Sequence, residues 1–178
     1  MLDRSGGHTV SFAYQSMKKD SAMPFTPRLG LALAALPLIA TAAAADVRAS
    51  NPQGVLSAMQ AYGYAATLET DSTGDPKISS RVSRSNFAVF FYGCSDNNDC
   101  ASIQFYTGYN MNNAVSAGRM NEWNRDKLFS KATVDDDGDP ALEMDVNLDF
   151  DGMGNGNFED VLDIWRLSVE SFEEFIDW

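Results

Sequence analysis

Histidine is almost missing from this chain: His8 is the only one among 178 residues. It lies ahead of a segment that we expect to be removed on export, so the remaining domain would contain none. This absence excludes Ser-His-Asp and Cys-His catalysis, general acid–base work by histidine, and zinc sites with histidine ligands. We therefore predict that the domain is not an enzyme.

Cysteine is also scarce, with only Cys94 and Cys100 present. Two cysteines in an exported chain are expected to pair, and a paired cysteine has no thiolate to act as a nucleophile. The alternative is a redox pair, for which a C-x-x-C spacing is typical. Five residues separate these two cysteines, and this spacing favours a structural disulfide.

No apolar run in the chain is long enough to be a comfortable membrane span. The longest begins after Arg28, extends from Leu29 to about Ala40, and is followed by small residues that end at Ala45. A cation, a short apolar core and a small-residue end are typical of a secretory signal peptide. The alternative is an uncleaved N-terminal anchor.

These features predict three parts of the chain. Residues 1–22 are interpreted as a gene-model extension ahead of a true start at Met23, and residues 23–45 as the signal peptide. Residues 46–178 would form one domain, long enough to bury a single core. A cleaved signal peptide places that domain in the bacterial periplasm or outside the cell.

Basic residues are few in the predicted domain. Of the 25 acidic residues, 23 lie in residues 46–178, and of the 13 basic residues nine do, so the net charge is near −14. Such a surface repels nucleic acid and anionic membranes, and it suits a soluble protein with cationic partners or a divalent metal. We expect neither nucleic acid nor, after signal cleavage, a membrane as partner.

The stretch from Phe87 to Tyr106 predicts a β-hairpin, because two apolar-aromatic runs flank a polar loop that has a cysteine at each end. In the first strand, alternate residues point to opposite faces: Phe87, Val89 and Phe91 to one, and Phe90 and Tyr92 to the other. Since both faces are apolar, we expect this strand to lie mid-sheet with cover on both sides.

Other strands are predicted on both sides of this hairpin. Two strands are predicted around a turn at residues 71–76: residues 64–70 and Lys77–Val82, the second of them at an edge of the sheet. A second hairpin begins at residues 131–134 and turns through residues 135–140. Its return strand alternates cleanly, which predicts Leu142, Met144, Val146, Leu148 and Phe150 inside.

Three helices complete the pattern. The first starts with Asn51 as N-cap and Pro52 at its first position. The second is predicted to be capped within residues 110–113 and to end near Leu128, and the third to be capped by Asn157. The resulting fold class is α+β, an antiparallel sheet flanked by three helices in the order α, β-hairpins, α, β-hairpin, α.

Three segments resemble the YbjN family of bacterial sensory transduction regulators. They are Phe91-Tyr-Gly-Cys…Cys-Ala-Ser-Ile-Gln-Phe105, Asn121-Glu-Trp-Asn124 and Gly138-Asp-Pro-Ala-Leu-Glu-Met-Asp145, and the resemblance covers residues 51–178. It implies a fold similar to type III secretion chaperones, which is often dimeric, and a regulatory role. The family has no agreed catalytic residues to carry over, and an export signal argues against direct control of transcription.

The last helix carries a wide apolar arc. Its main stripe contains Phe158, Val161, Leu162, Trp165, Val169, Phe172 and Ile176. Phe175 and Trp178 lie beside this stripe at the end of the helix, so we predict that they contact a protein partner or a second copy of the chain. We therefore interpret the domain as a non-enzymatic, chaperone-like binding or regulatory module.

Acidic residues provide two alternatives. Asn147, Asp149 and Asp151 match the first half of a calcium-binding EF-hand loop, but the twelfth position is Phe158 rather than Glu. Weak calcium binding is the alternative function, no other cofactor is expected, and a solvated strand face is the simpler interpretation. A carboxylate hydrolase using Glu143 and Asp145 is less favoured, because no other feature marks a desolvated acid.

Overall fold

An antiparallel sheet forms the framework of residues 46–178, the part of the chain that the computed structural model describes. The predicted segments 1–22 and 23–45 lie outside the described residues. In chain order the elements are β1 (Asp46–Val47), α1 (Pro52–Ala61), β2 (Thr67–Thr70), β3 (Pro76–Val82), β4 (Ser85–Tyr92), β5 (Ser102–Gly108), α2 (Ala117–Asp126), β6 (Lys131–Val134), β7 (Pro140–Asn147), β8 (Met153–Gly154) and α3 (Asn155–Phe175).

Six strands form the main sheet, in the order β2-β3-β4-β5-β7-β6, and β1 pairs with β8 in a separate two-stranded ribbon. The predicted α+β class with three helices is confirmed. The prediction that Lys77–Val82 lies at an edge is wrong, because β2 covers that side of β3. The edge strand β2 is also shorter than predicted and begins at Thr67.

The β4–β5 hairpin is confirmed, with Val89 opposite Phe105 and Tyr92 opposite Ser102. A disulfide joins Cys94 to Cys100 across its loop. The side-chain amide of Asn97 also donates to Asp75 Oδ1 at 2.8 Å. The closed loop is therefore held against the turn between β2 and β3.

The core fills the space between one face of the sheet and α3. Trp165 lies at its centre, with ring centroids 5.5 Å from Phe105 and 5.8 Å from Phe87. The residues of the predicted stripe are buried with the exception of Val161, which is partly buried. Helix α3 is the main cover of the sheet on this face, because its stripe extends over most of its length.

The opposite face of the sheet carries no helix among residues 46–178. Tyr92 is 48% exposed there, and Phe90 and Tyr106 pack edge-to-face with ring centroids 6.0 Å apart. The predicted cover on both sides of β4 is therefore wrong for the described chain. We call this surface the open sheet face.

Helix α1 begins as predicted, since the side chain of Asn51 accepts a hydrogen bond from the backbone N–H of Gly54 at 3.1 Å. Helix α2 differs from the prediction at both ends: Ser116 caps it rather than residues 110–113, and it ends at Asp126, so that Leu128 is exposed. Its two buried residues are Met120 and Trp123.

Two boundaries around β7 and α3 also differ. Strand β7 ends at Asn147, and Phe150 is 85% exposed instead of inside, because the chain turns away from the sheet with a positive φ at that residue. Helix α3 begins at Asn155, after Gly154, so Asn157 is its third residue and not its cap. Among residues 46–178, no helix is long and apolar enough to cross a bilayer.

Candidate partner-binding cleft

A cleft of about 660 Å³ lies between residues 110–116, the first turn of α2 and residues 175–178. Both residues predicted to bind a partner, Phe175 and Trp178, line it. Residues 110–116 form the facing wall, and they include residues 110–113, for which the sequence predicts a helix cap. We call this feature the C-terminal cleft.

Phe175 is a partly buried wall of the C-terminal cleft. Its ring lies 5.4 Å from the ring of Trp123, and the guanidinium carbon of Arg119 stands 3.7 Å above its centroid. Arg119 also donates to the backbone carbonyl of Phe175 at 2.8 Å and pairs with Glu122 at 3.0 Å. These contacts give Phe175 a packing role within the chain, and they join α2 to the end of α3.

Trp178 is more accessible, with 40% of its surface exposed. Its ring packs edge-on against Tyr109 at 5.1 Å, and its backbone N–H donates to the carbonyl of Glu173 at 2.9 Å. Burial raises the pKa of Tyr109 to about 12. Trp178 is thus the fixed aromatic side chain that the cleft presents to solvent.

The facing wall of the cleft is held by the turn between β6 and β7. The N–H of Met111 donates to Asp139 Oδ1 at 2.7 Å, and the N–H of Val115 donates to the carbonyl of Gly138 at 2.9 Å. Gly138 has φ +86°, and a Cβ there would collide with Ala114. Glycine is therefore needed both for the turn and for the close approach of the two segments.

The rim of the cleft is polar. Three asparagines, Asn110, Asn112 and Asn113, lie along residues 110–116, and Asp177 adds an exposed carboxylate. Asparagine amides can both donate to and accept from a peptide backbone. Since Arg119 is already paired with Glu122, the cleft offers more free negative than positive charge to a ligand.

Comparison with protein families identifies the chain at this point. A family model described as "YbjN: Putative bacterial sensory transduction regulator" matches residues 51–178. The chain belongs to the YbjN family. A comparison with curated proteins found no match.

Two of the segments that suggested the YbjN family build the surroundings of the cleft. In Asn121-Glu-Trp-Asn124, Trp123 packs under Phe172 and Phe175. The side chain of Asn124 accepts from the N–H of Ala132 at 2.7 Å and donates to its carbonyl at 2.9 Å. The segment Gly138–Asp145 supplies the turn that holds the facing wall, and its last residues form β7.

The carboxylates that suggested a hydrolase lie on the open sheet face of the YbjN domain. Lys131 Nζ is 2.9 Å from Glu143 and 3.3 Å from Asp145. The amide of Gln104 donates to the same two carboxylates at 3.2 and 2.7 Å. The pKa of Lys131 is raised, mainly by its hydrogen bond with Glu143. In this arrangement the two acids of β7 form ion pairs with β6 and hydrogen bonds with β5, and so they join the three strands.

The residues that suggested calcium follow β7. Asn147 accepts from the N–H of Asp149 at 3.0 Å, Asp149 accepts from the N–H of Phe150 at 2.8 Å, and the side chain of Asp151 is fully exposed. Within residues 46–178 no group of three or more His, Cys, Asp or Glu residues is arranged around a metal position. Two of the three candidate ligands, Asn147 and Asp149, thus already accept hydrogen bonds from the backbone of this segment.

Calcium binding remains a prediction with a simple measurement. If Asn147, Asp149 and Asp151 bind weakly, millimolar Ca²⁺ should raise the melting temperature, and matched ionic strength should not. The Asp149→Asn variant should lose this shift, while Asp137→Asn, in the separate β6–β7 turn, should keep it. An identical shift in both variants would assign the effect to general charge screening.

Proposed function

We propose that this YbjN domain is an exported, non-catalytic regulatory module that binds a partner polypeptide in the C-terminal cleft. The bound segment would insert an apolar side chain beside Trp178 and carry lysine or arginine next to it. The observation that supports the proposal most directly is the exposure of Trp178 in a cleft with an asparagine-rich rim. Aromatic residues set among backbone-binding polar groups are common in peptide recognition.

Charge supports the cationic part of this ligand. The domain carries a net charge near −14, and the cleft itself ends in the exposed carboxylate of Asp177. An acidic surround attracts cationic segments and speeds their encounter, and this effect weakens as salt is added. The family description as a regulator agrees with a role in binding, and the absence of histidine from residues 46–178 agrees with a non-catalytic one.

A displayed peptide library tests the cleft. We expect selected peptides to contain one aromatic or large aliphatic residue with basic neighbours, and to quench or shift tryptophan fluorescence. Because an aromatic contact contributes about 1.5–3 kcal/mol, Trp178→Ala should weaken binding by roughly tenfold or more. The matched control is Leu167→Ala, which removes an exposed apolar side chain from α3 outside the cleft.

Two results would contradict the proposal. One is a library that yields no binder; the other is a set of binders whose affinity is the same for the native protein and Trp178→Ala.

The proposed export has a separate test: N-terminal sequencing of the exported protein should give a sequence that begins at Asp46. An intact N-terminus in a membrane fraction would favour the uncleaved anchor.

A further inference from the structure

The open sheet face has a regular arrangement of side chains across its strands. One cross-strand row contains Glu69, Lys77, Phe90, Gln104 and Asp145, and the next contains Thr67, Ser79, Ala88, Tyr106, Glu143 and Lys131. Aromatic side chains thus occupy the centre of the face, on β4 and β5. None of these eleven residues lines the C-terminal cleft.

Charge is distributed unevenly about this centre. Strand β3, on one side, presents Lys77 and Arg81, and strand β7, on the other side, presents Glu143 and Asp145. These two strands are each one strand away from the aromatic centre, since the order is β3-β4-β5-β7. Each flank also carries one opposite charge, since Glu69 of β2 lies 3.2 Å from Lys77 and Lys131 of β6 pairs with Glu143 and Asp145. With Glu69 and Lys131 counted, the β2–β3 flank keeps one net positive charge and the β7–β6 flank keeps one net negative charge.

Shape follows the same asymmetry. A shallow depression of about 610 Å³ lies over β3, β4 and the end of β5, with Ala88 in its lining. Phe90 and Tyr106, which pack against each other, form part of its lining. A small residue on β4 is thus directly paired in register with a large one on β5.

We propose that two copies of the chain pack through their open sheet faces, about a two-fold axis that lies parallel to the strands between β4 and β5. This axis places β3 of one copy over β7 of the other. Lys77 then faces Asp145 of the second copy, and Tyr106 enters the depression beside Ala88 of the second copy. The proposal concerns a surface separate from the cleft and does not depend on the proposed function.

The geometry of the face meets the requirements of such a dimer. A two-fold interface uses the same patch on both copies, so the patch must complement itself, as a face with one basic and one acidic flank does. Sheets that pack face to face keep their strands within about 30° of each other. At that angle Lys77 can still reach either Asp145 or the neighbouring Glu143.

The available area also suits a second copy. Four central strands, spaced about 4.8 Å apart and about seven residues long, present a flat area on the order of 450 Å² before side-chain relief is counted. A standard interface buries about 800 Å² of accessible surface on each partner. Side-chain relief and the edge strands add to this flat area, and the aromatic residues lie at its centre, where such residues contribute most.

Charge exchange gives a decisive test on protein isolated after expression of the full chain. Lys77→Glu would oppose Asp145 with a second acid, and Asp145→Lys would oppose Lys77 with a second base. Each variant alone should have a dimer dissociation constant at least tenfold higher than the native protein. An equal mixture of the two should recover native affinity, because in the mixed dimer both contacts join opposite charges.

Analytical ultracentrifugation at up to roughly 100 µM measures these states, since a dimer of micromolar affinity is mostly assembled there. Arg125→Glu is the matched control, a charge reversal on α2 away from this face, and it should leave the dimer unchanged. Recovery in the mixture also shows that neither single variant failed to fold.

Three outcomes would overturn the proposal. They are a native protein that is monomeric throughout this range, a dimer that no face variant weakens, and two folded single variants whose mixture stays monomeric. A monomer in which Lys77 crosslinks to residues 1–45 would also overturn it, and it would name that segment as the occupant of the face.

Discussion

Replacing Glu173 with alanine is expected to lower the free energy of unfolding by about 3 kcal/mol. Only 2% of Glu173 is exposed, and its carboxylate accepts hydrogen bonds from Ser83 Oγ at 2.7 Å and Ser85 Oγ at 2.6 Å. Arg84 Nε lies 3.4 Å away and supplies the opposite charge. The alanine variant removes two hydrogen bonds to a charged group and leaves the buried hydroxyl of Ser85 without its acceptor, whereas Ser83 and Arg84 are exposed to water.

The same contacts hold the turn between β3 and β4 against the end of α3. Ser83 has a φ of +52°, a left-handed conformation that is unfavourable for a non-glycine residue. Its hydrogen bond to Glu173 helps to hold it there. Loss of the carboxylate should therefore loosen the β3–β4 turn as well as lower global stability.

Glu174 provides the matched control for this prediction. It is the next residue in the same helix and is exposed, so Glu174→Ala should change the unfolding free energy by less than about 0.5 kcal/mol. Urea denaturation of both variants measures the difference. Equal losses in the two variants would mean that the helix end, and not the buried hydrogen bonds, determines the effect.

Sequence reasoning could not have found this role for Glu173. On local grounds the position is unfavourable for an acid, because a negative charge in the last turn of a helix opposes the macrodipole. Its partners come from residues 83–85, about 90 positions away, and no local pattern indicates them. In the sequence, a long-range polar contact of this kind is visible only as a residue that is unfavourable in its own helix.

Local patterns were sufficient where the structure depends on neighbouring residues. The β4–β5 hairpin, the cap at Asn51 and the apolar stripe of α3 were all predicted, since alternation, capping and helical spacing act within a few residues. The same reasoning failed at Phe150. The alternation continued in sequence beyond Asn147, whereas the strand did not.

The open sheet face shows a related limit. Apolar residues on both sides of β4 indicated cover on both sides, but the neighbours of Phe90 in the sheet are Lys77 and Gln104. Which side chains flank an aromatic residue across a sheet depends on strand order and register. The alternation within β4 alone therefore predicts a more apolar face than the assembled sheet has.

The sequence predicts two residues of a partner surface and does not predict a cleft. Phe175 and Trp178 were both identified because they lie beside the main stripe, and the structure brings them to one cleft. The two side chains differ in their surroundings, since Phe175 packs beneath Arg119 and Trp178 is open to solvent. The facing wall could not be predicted, because it depends on a close approach between Gly138 and Ala114.

Replacing Trp123 with alanine is expected to lower the free energy of unfolding by about 3–5 kcal/mol, as large-to-small changes in a core do. Trp123 is 1% exposed, and its ring centroid is 4.9 Å from Phe172 and 5.4 Å from Phe175. Helix α2 has ten residues, too few to be stable alone, and Trp123 is one of only two that it buries. Its amides should exchange with solvent much faster in the variant.

Trp178→Ala supplies the control for Trp123→Ala, since it removes the same side chain from the other aromatic contact at the end of α3. Trp178 is partly exposed and packs mainly on Tyr109, so its loss should lower the unfolding free energy by about 1 kcal/mol. Chemical denaturation with hydrogen exchange measures both variants. A larger loss in Trp178→Ala would show that Trp178 holds the fold rather than serving the C-terminal cleft, and it would remove the reason for assigning a partner to that surface.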